Sequence, residues 1–171
     1  MIEDTLNEIS EWFENCGEGP TRPTLLSKLA LLELCGWLES ELDRLVMVAE
    51  AGRLDDPEWV KRNVVERTYG MDYGDHFRPM MCKVVGEVYV RRIEARCDAL
   101  LPNGTADIKS LLSMLWQNRC KLAHGHYDGQ VVQQQLYQAP SWVRQQHKKL
   151  TKMLATFEQA LTQELGTIQS V

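Results

Sequence analysis

No apolar run in this sequence approaches the ~20 residues that a membrane-spanning helix requires. The longest candidates, around Leu29–Leu34 and Val84–Val90, are cut by Glu33, Gly86 and Glu87, so no membrane partner is expected. There is no CxxC pair. The five cysteines (Cys16, Cys35, Cys82, Cys97 and Cys120) are odd in number and widely spaced. That pattern suits reduced thiols serving as small core residues in a cytosolic protein, not a disulfide framework. No internal repeat occurs, and Gln133-Gln134-Gln135 is the only low-complexity tract. The opening Met-Ile-Glu-Asp is acidic where a signal peptide is basic, which makes the cytoplasm the expected location. No segment demands a β-strand.

What is present fits one domain over 1–171. A chain of this length can bury roughly 70% of the surface that it exposes when unfolded, enough for a core without disulfides or metal. Its 44% apolar and 25% charged residues are ordinary for a globular protein. The net charge of -5 is unevenly spread. Residues 1–58 hold 14 acids and 4 bases, whereas residues 59–171 hold 10 acids and 15 bases. The second part can face a polyanion if the fold keeps the two apart; mixing them erases the asymmetry.

Helical periodicity dominates, and the expected class is an all-α bundle of about five to six helices. A first helix covers about Ile2–Asn15, with Leu6, Ile9 and Phe13 on one face, and Gly17-Glu18-Gly19-Pro20 stops it. A long helix covers about Pro23–Ala51. One row on it is Leu25, Leu29, Leu32, Gly36, Glu39/Ser40 and Asp43; Leu31, Leu34, Leu38, Leu42 and Leu45 thicken its apolar face. Gly52 suits its stop. Asp55-Asp56-Pro57 opens a helix reaching about Arg67, and Tyr69–Asp75 reads as a turn-rich loop. One helix is expected over Phe77–Leu100, ended by Pro102-Asn103-Gly104. Thr105 or Asp107 opens the next. Ala123–Pro140 reads mostly as a long loop, of the kind often used for function. A last helix covers about Ser141–Leu165, with Val143, Leu150, Met153/Leu154, Phe157 and Leu161 inward and Arg144, Lys148, Lys149 and Lys152 outward. Met80, Met81 and Met153 read as core filler, the five tryptophans as core anchors, and His76 and His147 as surface residues.

The helix after Asp107 carries the legible chemistry. Its apolar stripe is Ile108, Leu111/Leu112, Leu115 and Leu122, and the position left between the last two holds Arg119. A charge on a core stripe is costly unless it is paired or placed at an opening. Arg119 must therefore meet a carboxylate or sit at a cleft or subunit interface, and Trp116, one turn earlier, could border such a cleft. His124, Gly125, His126 and Tyr127 follow. A guanidinium grips phosphate oxygens bidentately, and an imidazole exchanges protons near neutral pH. Together they form a minimal kit for cleaving RNA without metal. Arg119 faces His126 if the helix persists, and reaches His124 if Gly125 ends the helix and the chain turns back; glycine favours the turn. Two blander readings stand beside this one. Arginine and histidine near a helix end complement its dipole. Cys120, His124 and His126 form a trio with metal-like spacing but no evident fourth ligand. Arg91, Arg92 and Arg96, with Lys121, are candidate RNA contacts, although such runs are usually solvated faces.

Leu115-Trp116-Gln117-Asn118-Arg119-Cys120-Lys121-Leu122-Ala123-His124-Gly125 resembles the R-x(4–6)-H signature of HEPN domains, in the form "L…RNxxAHG". Leu31–Glu39 is similar to the N-terminal helix of a bacterial stand-alone HEPN subgroup. The resemblance implies a helical-bundle homodimer in which two motifs meet to form one composite cleft. It further implies a metal-independent endoribonuclease that needs no cofactor and leaves a 2′,3′-cyclic phosphate. Arg119 carries over as the phosphate-binding arginine and His124 as the catalytic histidine; His126 also fits the permitted spacing. Many members act as toxins with an antitoxin partner, or in anti-phage defence, while some are inactive and bind nucleotides or partners. Cys120 departs from the Asn or Asp usual after the arginine, with Asn118 just before. Tyr127 loosely matches a tyrosine that some antitoxins modify.

Overall fold

Leu31, Leu34, Leu38, Leu42 and Leu45 recur at steps of three and four residues, so a helix places them along one side. In the computed structural model, α2 (Thr21–Glu50) buries all five. The structure describes residues 2–17, 19–51, 56–124 and 138–166. Among these, seven helices and no strand occur: α1 (Ile2–Glu14), α2, α3 (Pro57–Val60), α4 (Arg78–Val85), α5 (Glu87–Leu100), α6 (Gly104–His124) and α7 (Pro140–Gly166). The chain is an all-α bundle.

α2 and α7 are the long members. α1 packs on both, α5 lies along α7, and α4 and α6 close the other side. The core draws Leu6 and Ile9 from α1, Ile93 and Cys97 from α5, and Leu112, Leu115 and Leu122 from α6. From α7 come Val143, Leu150, Met153, Leu154, Phe157 and Leu161, as their spacing predicts. Phe77 and Phe157 meet at its centre with ring centroids 5.3 Å apart.

Three forks of charge fasten the periphery. Arg44 donates bidentately to Glu158 at 2.8 Å for each bond, joining α2 to α7. Arg96 donates to Glu164 at 2.9 Å, joining α5 to α7. Arg78 donates bidentately to Glu87 at 2.9 Å and reaches Glu94 at 3.1 Å, joining α4 to α5. That last clamp spans a break where the sequence leads one to expect a single Phe77–Leu100 helix. Gly86 adopts φ 86° and ψ 154°, which ends α4 and restarts the chain as α5.

Smaller departures have local causes. Asp56 caps α3 by accepting from the Trp59 N–H at 3.0 Å, as expected, but beyond Val60 the chain widens into a π-type turn over Lys61–Val65. Tyr73–Phe77, expected within or beside a loop, forms a second such turn, capped by Asp72, which accepts from the Gly74 and Asp75 N–H groups at 2.7 and 3.1 Å. Two tryptophans are not core anchors: Trp12 and Trp59 are about half exposed, at 50% and 47%. Two histidines are not plain surface residues: His147 packs edge-on to Trp37, and His76 to Trp116. Gly52 and Asp55 lie outside the described residues, as does most of the Ala123–Pro140 stretch. Ala123 and His124 are still helical, and Pro140 already opens α7.

Truncating Phe157 to alanine empties the centre of this core, so Phe157→Ala should cost about 3–5 kcal/mol by urea denaturation. Lys152→Ala, on the exposed side of the same helix, should change stability by no more than ~0.5 kcal/mol.

Candidate phosphate-binding cleft

α6 faces the core with Ile108, Leu111, Leu112, Leu115 and Leu122. Arg119 occupies the remaining place on that stripe and resolves its charge in two ways. Its Nη2 lies 3.6 Å from Oε1 of Glu39 on α2, and its guanidinium carbon sits 5.4 Å from the centre of the Trp116 ring. At 3.6 Å the Glu39 contact is an ion pair longer than a hydrogen bond. The guanidinium is therefore attracted but not geometrically locked.

Both predicted alternatives for Arg119 hold at once, because it also lines a cleft. Glu39 and Asp43 of α2, Thr68, Tyr69 and Gly70 of the following connection, and Trp116 and Arg119 of α6 enclose about 180 Å³. Tyr69 is 83% exposed and stands at the edge as a free aromatic face. The connection is held close by a small joint: His76 packs on Trp116 with centroids 5.0 Å apart, and Gly70 lies over the His76 ring. A Cβ at residue 70 would fall 2.5 Å from His76 Nε2, and its φ of 146° also favours glycine. Asp72 ties the same segment to α6 through the Ser113 hydroxyl. Partial burial works against its charge, but bonds from Asp75, Ser113 and Gly74 outweigh that and hold its carboxyl below the ordinary value.

The acidic wall has its own chemistry. Burial, and then the neighbouring Glu39, push Asp43 up to about 6. Behind it, burial pushes the Cys35 thiol up to about 12; Glu39 and Cys120 add to this and Arg119 opposes it. Cys35 is thus a neutral thiol within electrostatic reach of Glu39 and Arg119.

Of the residues singled out in the sequence, Arg119 lines the cleft with Trp116, and Asn118 and Cys120 are half-buried beside them. Lys121 is exposed on α6. α6 continues through His124, so positions 119 and 124 stand about 140° apart around the axis and about 7.5 Å apart along it. The His124 side chain, His126 and Tyr127 lie outside the described residues. Arg91, Arg92 and Arg96 do not line this cleft. Arg91 pairs with Glu87 at 2.8 Å, and Arg92 and Arg96 share Glu164 at 3.6 and 2.9 Å. Among the described residues no cluster of three or more metal-ligating side chains occurs. Sequence reasoning missed Glu39, Asp43 and Tyr69 as site residues. The available cue was an acid taking over, at Glu39 and again at Asp43, a row that begins with leucines.

Folding keeps a proton on Asp43 between its ordinary value of 3.8 and about 6. The native state then binds more protons than the unfolded chain, so this group makes stability fall as pH rises through that window. Asp43→Asn should remove the fall, leaving the variant more stable than wild type above pH ~6. Urea titrations between pH 4 and 7 check this; equal slopes for the two proteins would contradict it.

No protein-family model, no curated protein and no solved structure matches this chain.

Proposed function

We propose that this protein is a HEPN-type, metal-independent endoribonuclease, acting as a toxin or in anti-phage defence, with its cleft completed at a dimer interface. One observation carries the reading: Arg119, placed where the α6 stripe calls for an apolar residue, lines an open cleft beside Trp116, one to two turns before His124. The cleft offers what an RNA strand needs. The guanidinium supplies donors for a non-bridging phosphate oxygen, and exposed Tyr69 supplies a face on which a base can stack.

In the proposed reaction the 2′-hydroxyl oxygen attacks phosphorus, the P–O5′ bond breaks, and a 2′,3′-cyclic phosphate remains. His124 makes one proton transfer, from the 2′-hydroxyl or to the leaving 5′-oxygen, and water makes the other, while Arg119 stabilises the charge gathering on the phosphorane oxygens. Because positions 119 and 124 diverge by about 140° on α6, the second copy's motif supplies the histidine to the phosphate that Arg119 holds. The Glu39 ion pair must loosen first, since a carboxylate and a phosphate compete for one guanidinium.

A second reading draws on that competition and on Cys120 in place of the usual Asn or Asp: a catalytically silent HEPN domain that binds nucleotide, RNA or a partner protein.

Purified protein incubated with total RNA in EDTA separates the two. Cleavage should appear and end in 2′,3′-cyclic phosphates, and should drop about 10²–10⁴-fold in His124→Ala and in Arg119→Ala. Arg119→Lys, which keeps charge but loses the fork, should fall between wild type and alanine. RNA left intact by inhibitor-free wild type would favour the silent domain, and cleavage persisting in His124→Ala would remove the assigned histidine.

A further inference from the structure

α2 has a second face. Arg22, Leu25, Leu29, Leu32, Gly36, Glu39 and Asp43 follow one another at alternating steps of three and four residues. That spacing draws a straight seam about 30 Å long on the side opposite the buried leucines. Among the described residues, the seam positions Arg22, Leu25, Leu29 and Gly36 are open to solvent, whereas Leu32, Glu39 and Asp43 are half-buried and the last two also form a wall of the Arg119 cleft. Leu25 is 50% and Leu29 37% exposed, Trp12 of α1 adds a half-exposed ring beside it, and the space where a Gly36 Cβ would stand is empty. An apolar groove of about 450 Å³, lined by Trp12, Cys16, Arg22, Leu25 and Leu26, flanks its N-terminal end.

We propose that a second copy of this chain covers this seam, α2 against α2 in antiparallel order, and that Arg22 of each copy pairs with Glu39 of the other at the edge of the Arg119 cleft. The seam is complementary to itself in that arrangement. It carries a cation at one end, two carboxylates at the other, and leucines between. Antiparallel seams pair first and fourth heptad positions, and a two-fold axis midway between Leu29 and Leu32 does so throughout. Leu29 meets Leu32, the protruding Leu25 meets the notch at Gly36, and Arg22 meets Glu39. A parallel pair would instead set Arg22 against Arg22 and Glu39 against Glu39. A different protein would need the complementary charge order and notch; a second copy has both.

The pairing bears on the site through Glu39. Its present cation is Arg119 at 3.6 Å. An incoming Arg22 takes over that carboxylate, and Arg119 is released to a phosphate. This consequence rests on the nuclease reading; the seam itself does not. The two Glu39 positions stand about 25 Å apart along α2 in this register, from the 1.5 Å rise. The dimer is therefore distinct from one in which two Arg–His motifs meet.

Light scattering coupled to size exclusion, on the full chain, tests the seam. Wild type should have twice the mass of Leu29→Glu: a dimer where the seam acts alone, a tetramer where the motif faces meet as well. Leu29→Glu should weaken the seam by about 100-fold while helicity and melting stay intact, since the position is exposed. Arg22→Glu and Glu39→Arg should each weaken it about 10-fold or more, and the double variant, which restores the pair in reverse, should recover most of the loss. A monomeric wild type at high-micromolar concentration, an assembly indifferent to Leu29→Glu, or a double variant no better than the singles would overturn the proposal. An assembly obeying these rules that leaves RNA intact would retain the seam and remove the nuclease reading.

Discussion

A guanidinium has been set into a row of leucines on α6, and much of the surrounding structure follows from where it can go. Arg119 cannot be buried alone, because the desolvation of an unpaired charge outweighs any packing gain. α2 therefore brings Glu39 to meet it, Trp116 covers it from one turn earlier, and the contact stays on an open cleft wall. Ion pairs that are part-exposed and longer than hydrogen bonds contribute little to stability. This one is better understood as keeping a charged group available than as holding the helices together. The holding is done elsewhere, by the bidentate Arg44–Glu158 and Arg78–Glu87 forks and by the apolar core.

The opposite wall of the cleft depends on fine backbone chemistry. Gly70 lets the chain pass close over the His76 ring, His76 rests on Trp116, and the Asp72 carboxylate closes the next turn while reaching Ser113 of α6. Buried Tyr73 anchors the same segment by donating to Glu94 at 2.9 Å. Glu94 also receives Arg78 and lies 3.4 Å from Lys109. One carboxylate on α5 thus binds groups from three other segments. The Tyr69 edge of the cleft is as well placed as this network allows, although Tyr69 itself points into open solvent.

The helices were legible wherever apolar periodicity was long. α2 and α7 read correctly to within two residues because their leucine and mixed apolar rows run for about four and five turns. The place of Arg119 was legible for the complementary reason, as a charge that breaks such a row. Local backbone choices were not. Nothing in the pattern Val84–Val90 separates a continuous helix from one broken at Gly86, because glycine is tolerated inside helices and the decision lies in the Arg78–Glu87–Glu94 clamp across the break. The π-type turns at Lys61–Val65 and Tyr73–Phe77 likewise add a residue to a turn without changing which residues are apolar. Glu39, Asp43 and Tyr69 were not legible as neighbours of Arg119, since only packing of α2 and the 68–70 connection against α6 brings them there.

The two faces of α2 show how one helix can be specified twice. Its buried face asks only for apolar volume, and five leucines at helical spacing supply it. Its other face has the same spacing but a different content: a cation first, leucines next, then a glycine and two acids. A merely solvated face has no use for Leu25 and Leu29, and a core face has no use for Arg22 and Asp43. In the proposed pairing, the exposed leucines and the charges sorted by sign meet a face whose charge order runs the other way. Reversal of direction produces that order from the same sequence, and the glycine then falls opposite the most exposed leucine.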